Sequence, residues 1–212
     1  MDGFDRNVFV NCPFDDDYRQ LLLSVVFTVK HLGYNPRLSL ERADSAESRI
    51  DKIVGLINQS KYGIHDLSRI VSEGGNEHYR MNMPFELGID YGCQKLKEGA
   101  WSQKRILILE KEKYRYQKAL SDLSGSDIKN HDDEPSKIIK AVRDWFVTTE
   151  SIRADSGNKI WNSYNDFQAY LYDELIENDG HESVDDAQVS EIMQHMTVWF
   201  SMETDNKATG YR

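Results

Sequence analysis

Two carboxylates stand out in one stretch of the chain. Asp66 lies in the run Ile64-His65-Asp66-Leu67-Ser68, and Glu86 lies in Asn82-Met-Pro-Phe-Glu86-Leu-Gly88, which opens a helical pattern. A polar loop containing Gly74-Gly75 joins them. An aspartate at a strand end and a glutamate in the first or second turn of the next helix can face one cleft. Two carboxylates in a cleft are the minimum set for breaking a glycosidic bond: one attacks or stabilises the sugar cation, and one handles the proton. Proximity would push their pKa values apart and give them different roles near neutral pH. Bland explanations compete with this one. The helix macrodipole favours a glutamate in a first turn without any function, and an aspartate after a strand often caps a turn.

Other candidates are thinner. In Ser121-Asp-Leu-Ser-Gly-Ser-Asp-Ile-Lys-Asn-His131, Asp127 and His131 stand four apart. One helical turn would put them on the same face, and the histidine suits proton transfer near neutral pH. A solvated loop with a helix cap is the competing explanation. Glu41, Arg42 and Asp44 follow a strand pattern, where a ribose or phosphate would bind or where a charged loop would lie. Strand alternation points His65 away from whatever Asp66 faces. Cys12 has no basic partner in sight and reads as a small buried residue. No Walker loop, dinucleotide glycine turn or His-Glu-x-x-His zinc motif occurs.

These residues need elements to position them. Asn7–Asn11 reads as a strand, and Tyr18, Leu21, Leu22, Val25, Val26, Val29 and Leu32 form one face of a helix that Gly33 stops. A second strand is expected over Pro36–Leu40, a third over Lys61–Leu67 and a fourth over Arg105–Leu109. Ile50, Ile53, Val54 and Ile57 mark a second helix. Met83–Gln94, with Asn82 as N-cap, marks a third, and a fourth starts from Ser136. This alternation predicts an α/β fold, an open parallel sheet with helices on both faces. Right-handed crossovers gather the strand C-terminal ends on one edge, where such sheets bind ligands. The expected domain covers residues 1–150. An acidic helical hairpin follows over 151–212, with stripes Ile160, Tyr164, Phe167, Leu171, Ile176 and Val189, Ile192, Met193, Met196, Trp199, Phe200.

Composition bounds the function. The 212 residues carry a net charge of −10 and are 39% hydrophobic, a globular balance. Residues 151–212 hold 12 acids and only 4 bases, so the excess charge sits at the C-terminal end. Nucleic-acid binding rests largely on Lys/Arg–phosphate contacts, so that class is disfavoured. No apolar run approaches the roughly 20 residues of a membrane helix, and the polar start Met1–Arg6 does not read as a secretory signal. Two cysteines without metal-type spacing point to a reducing cytoplasm, with no disulfide scaffold and no metal.

Phe9-Val-Asn-Cys-Pro-Phe-Asp15, Ser60-Lys-Tyr-Gly-Ile-His-Asp66-Leu and Pro84-Phe-Glu86-Leu-Gly-Ile-Asp-Tyr-Gly92 together resemble the nucleoside 2-deoxyribosyltransferase superfamily and the related bacterial Toll/interleukin-receptor (TIR)-like domains. The resemblance spans about residues 5–147 and implies that the open parallel sheet is of flavodoxin-like or TIR-like kind. It implies Glu86 as the nucleophile at C1′ of the sugar and Asp66 as the carboxylate beside it. Asn11, Phe14 and Asn82 would position sugar and base. Arg80 and Asn82 stand near where the transferases usually carry a second aspartate. The Ser121–His131 stretch, with Asp127 and His131, is similar to segments of other bacterial proteins with the same Met-Pro-Phe-Glu-Leu-Gly turn.

The implied activity is cleavage or transfer at the N-glycosidic bond of a nucleoside, a nucleotide or nicotinamide dinucleotide (NAD). NAD would be a substrate, and no cofactor is called for. Bacterial relatives of this kind act in anti-phage defence, and such proteins assemble as homo-oligomers. The stripes in 160–202 would meet another copy or a partner protein. The alternative is a nucleotide-sensing or scaffold module acting through the C-terminal helices. A pocket joining Glu86 to Asp66 would favour the enzyme, and the lack of one would favour the module.

Overall fold

The computed structural model describes residues 3–41, 44–70, 81–118, 120–123 and 125–209. Five strands form one sheet in the order β2-β1-β3-β4-β5: β1 Asn7–Asn11, β2 Asn35–Arg37, β3 Tyr62–Asp66, β4 Arg105–Glu110 and β5 Lys129–Asn130. Every pairing is parallel. The helices are α1 Arg19–His31, α2 Arg49–Asn58, α3 Asn82–Leu96, α4 Pro135–Glu150, α5 Gly157–Tyr172 and α6 Val189–Thr209. The expected α/β class and open parallel sheet are therefore present.

The register assigns each strand residue to a face. Phe9 pairs with Gly63, Asn11 with His65 and His65 with Ile108, so these share one face. There Phe9 packs on Ile53, Leu56 and Ile57 of α2, and Ile108 on Met83 and Leu87 of α3. On the other face Tyr62 meets Trp145 and Phe146 of α4, and α1 packs along α4. β1 and β3 are buried along their whole length, as central strands covered on both faces must be.

Some boundaries move. β2 is only three residues long, and a short 3₁₀ turn at Ser39–Glu41 replaces the rest of the expected strand. Pro36 sits in that edge strand, the place in a sheet where a residue without an N–H is tolerated. Met81 takes the N-cap position of α3 and Asn82 is its first residue. Pro135 starts α4 one residue before Ser136. Gly33 does end α1, at a φ of +81° that a side chain would resist. β5, only two residues, was too short to leave a periodic signal.

The chain divides into two compact units, Met1–Ala154 and Asp155–Arg212. The division falls inside the polar joint at 151–159. In the second unit Ser156 caps α5 by accepting the Lys159 N–H at 3.2 Å. α5 runs into a π-helical turn at Asp173–Asn178, and Leu175 takes the buried place expected for Ile176. Phe167 and Tyr170 of α5 contact the Trp199 ring of α6, which makes the hairpin. Among the described residues no helix is long and apolar enough to cross a membrane.

Candidate functional site

The sheet order reverses at β1, whose neighbours β2 and β3 lie on opposite sides. Ligands of open α/β sheets bind outside the strand C-terminal ends near such a point. A cleft of about 380 Å³ lies there, lined by Pro13, Phe14, Asp15, Arg49, Asn82 and Met83. Its walls are the loop after β1 and the first residues of α2 and α3. Asp15 is fixed on this wall: it accepts the Tyr18 N–H at 2.9 Å, and Arg69 Nη2 lies 3.5 Å from its Oδ1.

Glu86 stands one helical turn after Asn82 on α3, and only 4% of it is exposed. Its one charged neighbour among the described residues is Arg49, with Nη2 3.9 Å from Oε1, too far for a hydrogen bond. Burial pushes the Glu86 carboxyl up from 4.5 to about 7, against the opposing pull of the Arg49 charge. Both of its protonation states are thus populated at neutral pH.

Asp66 is fully buried and fully engaged. Its Oδ2 accepts from the Tyr18 hydroxyl at 2.6 Å and lies 2.9 Å from His131 Nε2, while its Oδ1 accepts the Ser68 N–H at 2.8 Å. Burial alone would raise its pKa. The hydrogen bonds from His131, Ser68 and Tyr18 overcome that and hold it below the usual value. Cys12 belongs to the same nest, where burial and the Asp66 charge push its thiol up, so it is no nucleophile.

His131 fixes its own tautomer. Its Nδ1 accepts the Asp133 N–H at 3.1 Å, so Nε2 carries the proton toward Asp66. Ser68 Oγ lies 3.0 Å from that same Nε2. A Ser-His-Asp nucleophile needs its serine and aspartate on different ring nitrogens. Here they share one, so Ser68 is not activated. Arg115 closes the nest: it bonds Glu110 through Nε at 3.2 Å and Nη2 at 2.6 Å, and its Nη2 also donates to the Ser68 carbonyl.

A second buried network lies on the α2/α3 face. Asn11 Nδ2 donates to His65 Nδ1 at 3.0 Å and to the Met83 carbonyl at 3.1 Å. His65 Nε2 therefore donates to Asp90 Oδ2 at 2.9 Å. Lys104 Nζ lies 3.1 Å from Asp90 Oδ1 and donates to the Ile57 carbonyl at 2.9 Å and to that of Ser60. The network ties β1, β3, α2 and α3 to the start of β4.

The expected residues therefore part company. Phe14 and Asn82 line the cleft, and Glu86 adjoins it through Arg49. Asn11 sits under it, bonded to the Met83 carbonyl. Asp66 and Glu86 make no contact, and the cleft lining lacks Asp66. Their pKa values do separate, through burial and through hydrogen bonds, and mutual repulsion has no part in it.

The helical pairing of Asp127 with His131 is corrected: β5 lies between them, Asp127 is exposed beside Lys129 at 2.7 Å, and His131 is buried. Glu41 caps its own turn, accepting from Arg37 Nε and the Leu38 N–H, and Asp44 accepts the Ala46 N–H. Arg80, Arg42 and Gly74-Gly75 lie outside the described residues. Among the described residues no group of three or more His, Cys, Asp or Glu side chains is placed to hold a metal ion.

Arg49, Tyr18, Ser68, Asp90, Lys104 and Arg115 were missed. Asp90 left a trace, as a charge three residues after Leu87 on the buried stripe of α3. Lys104, the charge just before the apolar run of β4, left another. No protein-family model matches the chain, and no curated protein matches it. The class that fold and site define is an open parallel α/β protein with a cleft at its β1 switch point.

Proposed function

We propose that this cleft binds a nucleoside, a nucleotide or NAD, and that Glu86 acts there on an N-glycosidic bond. The carrying observation is Glu86 itself. It is a buried carboxylate with no hydrogen-bond donor among the described residues, one turn from the cleft lining. Burying such a group costs stability and contributes nothing structural in return. Groups of that kind concentrate where chemistry or binding needs them.

In this reading ionised Glu86 attacks C1′ of the sugar. The C1′–N bond breaks and its electron pair passes to the base nitrogen. The base of a nucleoside or nucleotide then takes a proton from water, whereas nicotinamide leaves neutral and needs none. Water then opens the glycosyl ester on Glu86, or a second base accepts the sugar. Phe14 offers a ring to the base, and Asn82 offers an amide to the sugar. Asp66 takes no direct part, because Tyr18, Ser68 and His131 occupy it. It positions the loop after β3. The same engagement of Asp66, and a cleft whose lining does not join Asp66 to Glu86, favour a second reading by the criterion set from the sequence, a nucleotide-binding or scaffold module without chemistry.

Small-molecule mass spectrometry separates the two. Purified protein is incubated with nucleosides, nucleotides and NAD beside a Glu86→Gln control. Release of a free base that vanishes in the control is the expected result. No release, with a ligand that still raises the melting temperature, selects the binding module.

A further inference from the structure

Arg49 is the one arginine among the described residues that line the cleft, and its charge is scarcely used. Its side chain is 59% exposed, and its only partner among the described residues is Glu86 at 3.9 Å. Other described arginines near the strand ends are committed: Arg37 to Glu41, Arg69 to Asp15 and Arg115 to Glu110. Glu86 does not neutralise Arg49 fully either, since the carboxyl is in large part protonated near pH 7. The remaining charge in the lining, Asp15, already faces Arg69.

The cleft thus offers an exposed guanidinium, a half-buried Phe14 ring and an exposed Asn82 amide in one lining. A guanidinium presents a planar fork of donors that matches phosphate oxygens two at a time. A neutral nucleoside has no group of that kind. A volume of about 380 Å³ lies at the small end of ligand pockets, which suits one nucleotide better than a dinucleotide.

We infer that Arg49 is the anion-recognition residue of this cleft, and that its ligand is a nucleoside monophosphate held by the phosphate. This rests on the nucleotide reading above and narrows it. Capture of the phosphate draws Arg49 away from Glu86 and adds negative charge nearby. Both changes favour the protonated carboxyl. Ligand charge and Glu86 ionisation are therefore coupled.

Titration calorimetry tests the inference without turnover, in the Glu86→Gln background. The probes are the four common nucleoside 5′-monophosphates, their parent nucleosides and inorganic phosphate. At least one monophosphate is expected to bind tenfold or more tightly than its nucleoside, with inorganic phosphate competing. Adding Arg49→Gln should abolish that preference, and Arg49→Lys should restore part of it. Arg49 is exposed, so circular dichroism should find both variants folded. Equal binding of nucleoside and monophosphate, no binding of either, or a preference that survives Arg49→Gln overturns the inference. Glu86-dependent base release from neutral nucleosides alone would overturn it too, and would leave the glycosidic reading standing.

Discussion

His65 and Asp66 are consecutive in β3, and their side chains leave the sheet on opposite faces. His65 ends on Asp90 of α3, while Asp66 ends on Tyr18 and His131. One peptide bond thus joins two separate buried polar networks. Glu86 belongs to neither, and among the described residues no hydrogen-bond donor reaches it.

The first prediction concerns Asp66. Its depressed pKa stabilises the fold above the ordinary aspartate range, and that contribution is lost as pH falls through the folded-state value. Asp66→Asn puts an amide among donors and should cost about 3 kcal/mol. Acid unfolding followed by circular dichroism should also begin from a lower plateau. If Asp66 acts on substrate instead, the variant will keep its stability and lose only activity.

Glu86 has the opposite sign. Its carboxyl holds a proton more tightly folded than unfolded, between 4.5 and about 7. Stability should therefore fall as pH rises through that window and level off above it, by at most roughly 3 kcal/mol. Glu86→Gln should remove this slope. Melting temperatures of both proteins from pH 4 to 8 check it, and parallel curves would refute it. Base release, where observed, should rise with pH as the carboxylate forms, at about pH 7 or above it, because a bound phosphate favours the protonated state.

Two glycines should respond in opposite directions. A Cβ at Gly63 would stand 2.1 Å from Asp90 Oδ2 and 2.9 Å from His65 Nε2, whereas one at Gly88 would meet nothing within 4 Å. Gly63→Ala should destabilise by about 3 kcal/mol or more, because both neighbours are pinned. Gly88→Ala, inside α3, should stabilise by about 0.5–1 kcal/mol. Urea titrations of the two variants suffice.

Lys104→Met would leave Asp90 buried with His65 alone and two carbonyls without their donor. A loss of about 3–5 kcal/mol is expected. Lys104→Met with Asp90→Leu should recover part of it in a double-mutant cycle. Strict additivity would show that the pair does not act as a unit.

The α/β class was legible because apolar periodicity is local. The stripe from Leu21 to Val29 and the run Ile106–Leu109 each declare their element without help from the rest of the chain. Even the opposed directions of His65 and Asp66 follow from alternation. The two-residue β5 and the extra turn after β2 did not, because neither is long enough to show a period. The site was half legible. Glu86 could be named from motif and spacing, and Asn82 and Phe14 only through the family resemblance, but Arg49 is one charge among many at helix starts.

What the sequence by itself determined was the order of elements and the edge on which the polar residues would gather. Which carboxylate would remain free was settled only by tertiary structure. Tyr18 and His131 lie 48 and 65 residues from Asp66, and Ser68 meets His131 across 63. No local pattern encodes those distances. They arise when parallel pairing brings the ends of β3, β4 and β5 together, where a buried aspartate must find donors or lose its charge. Asp66 found three and became part of the scaffold. Glu86 has only a distant guanidinium among the described residues, and no hydrogen-bond donor there holds it in the scaffold.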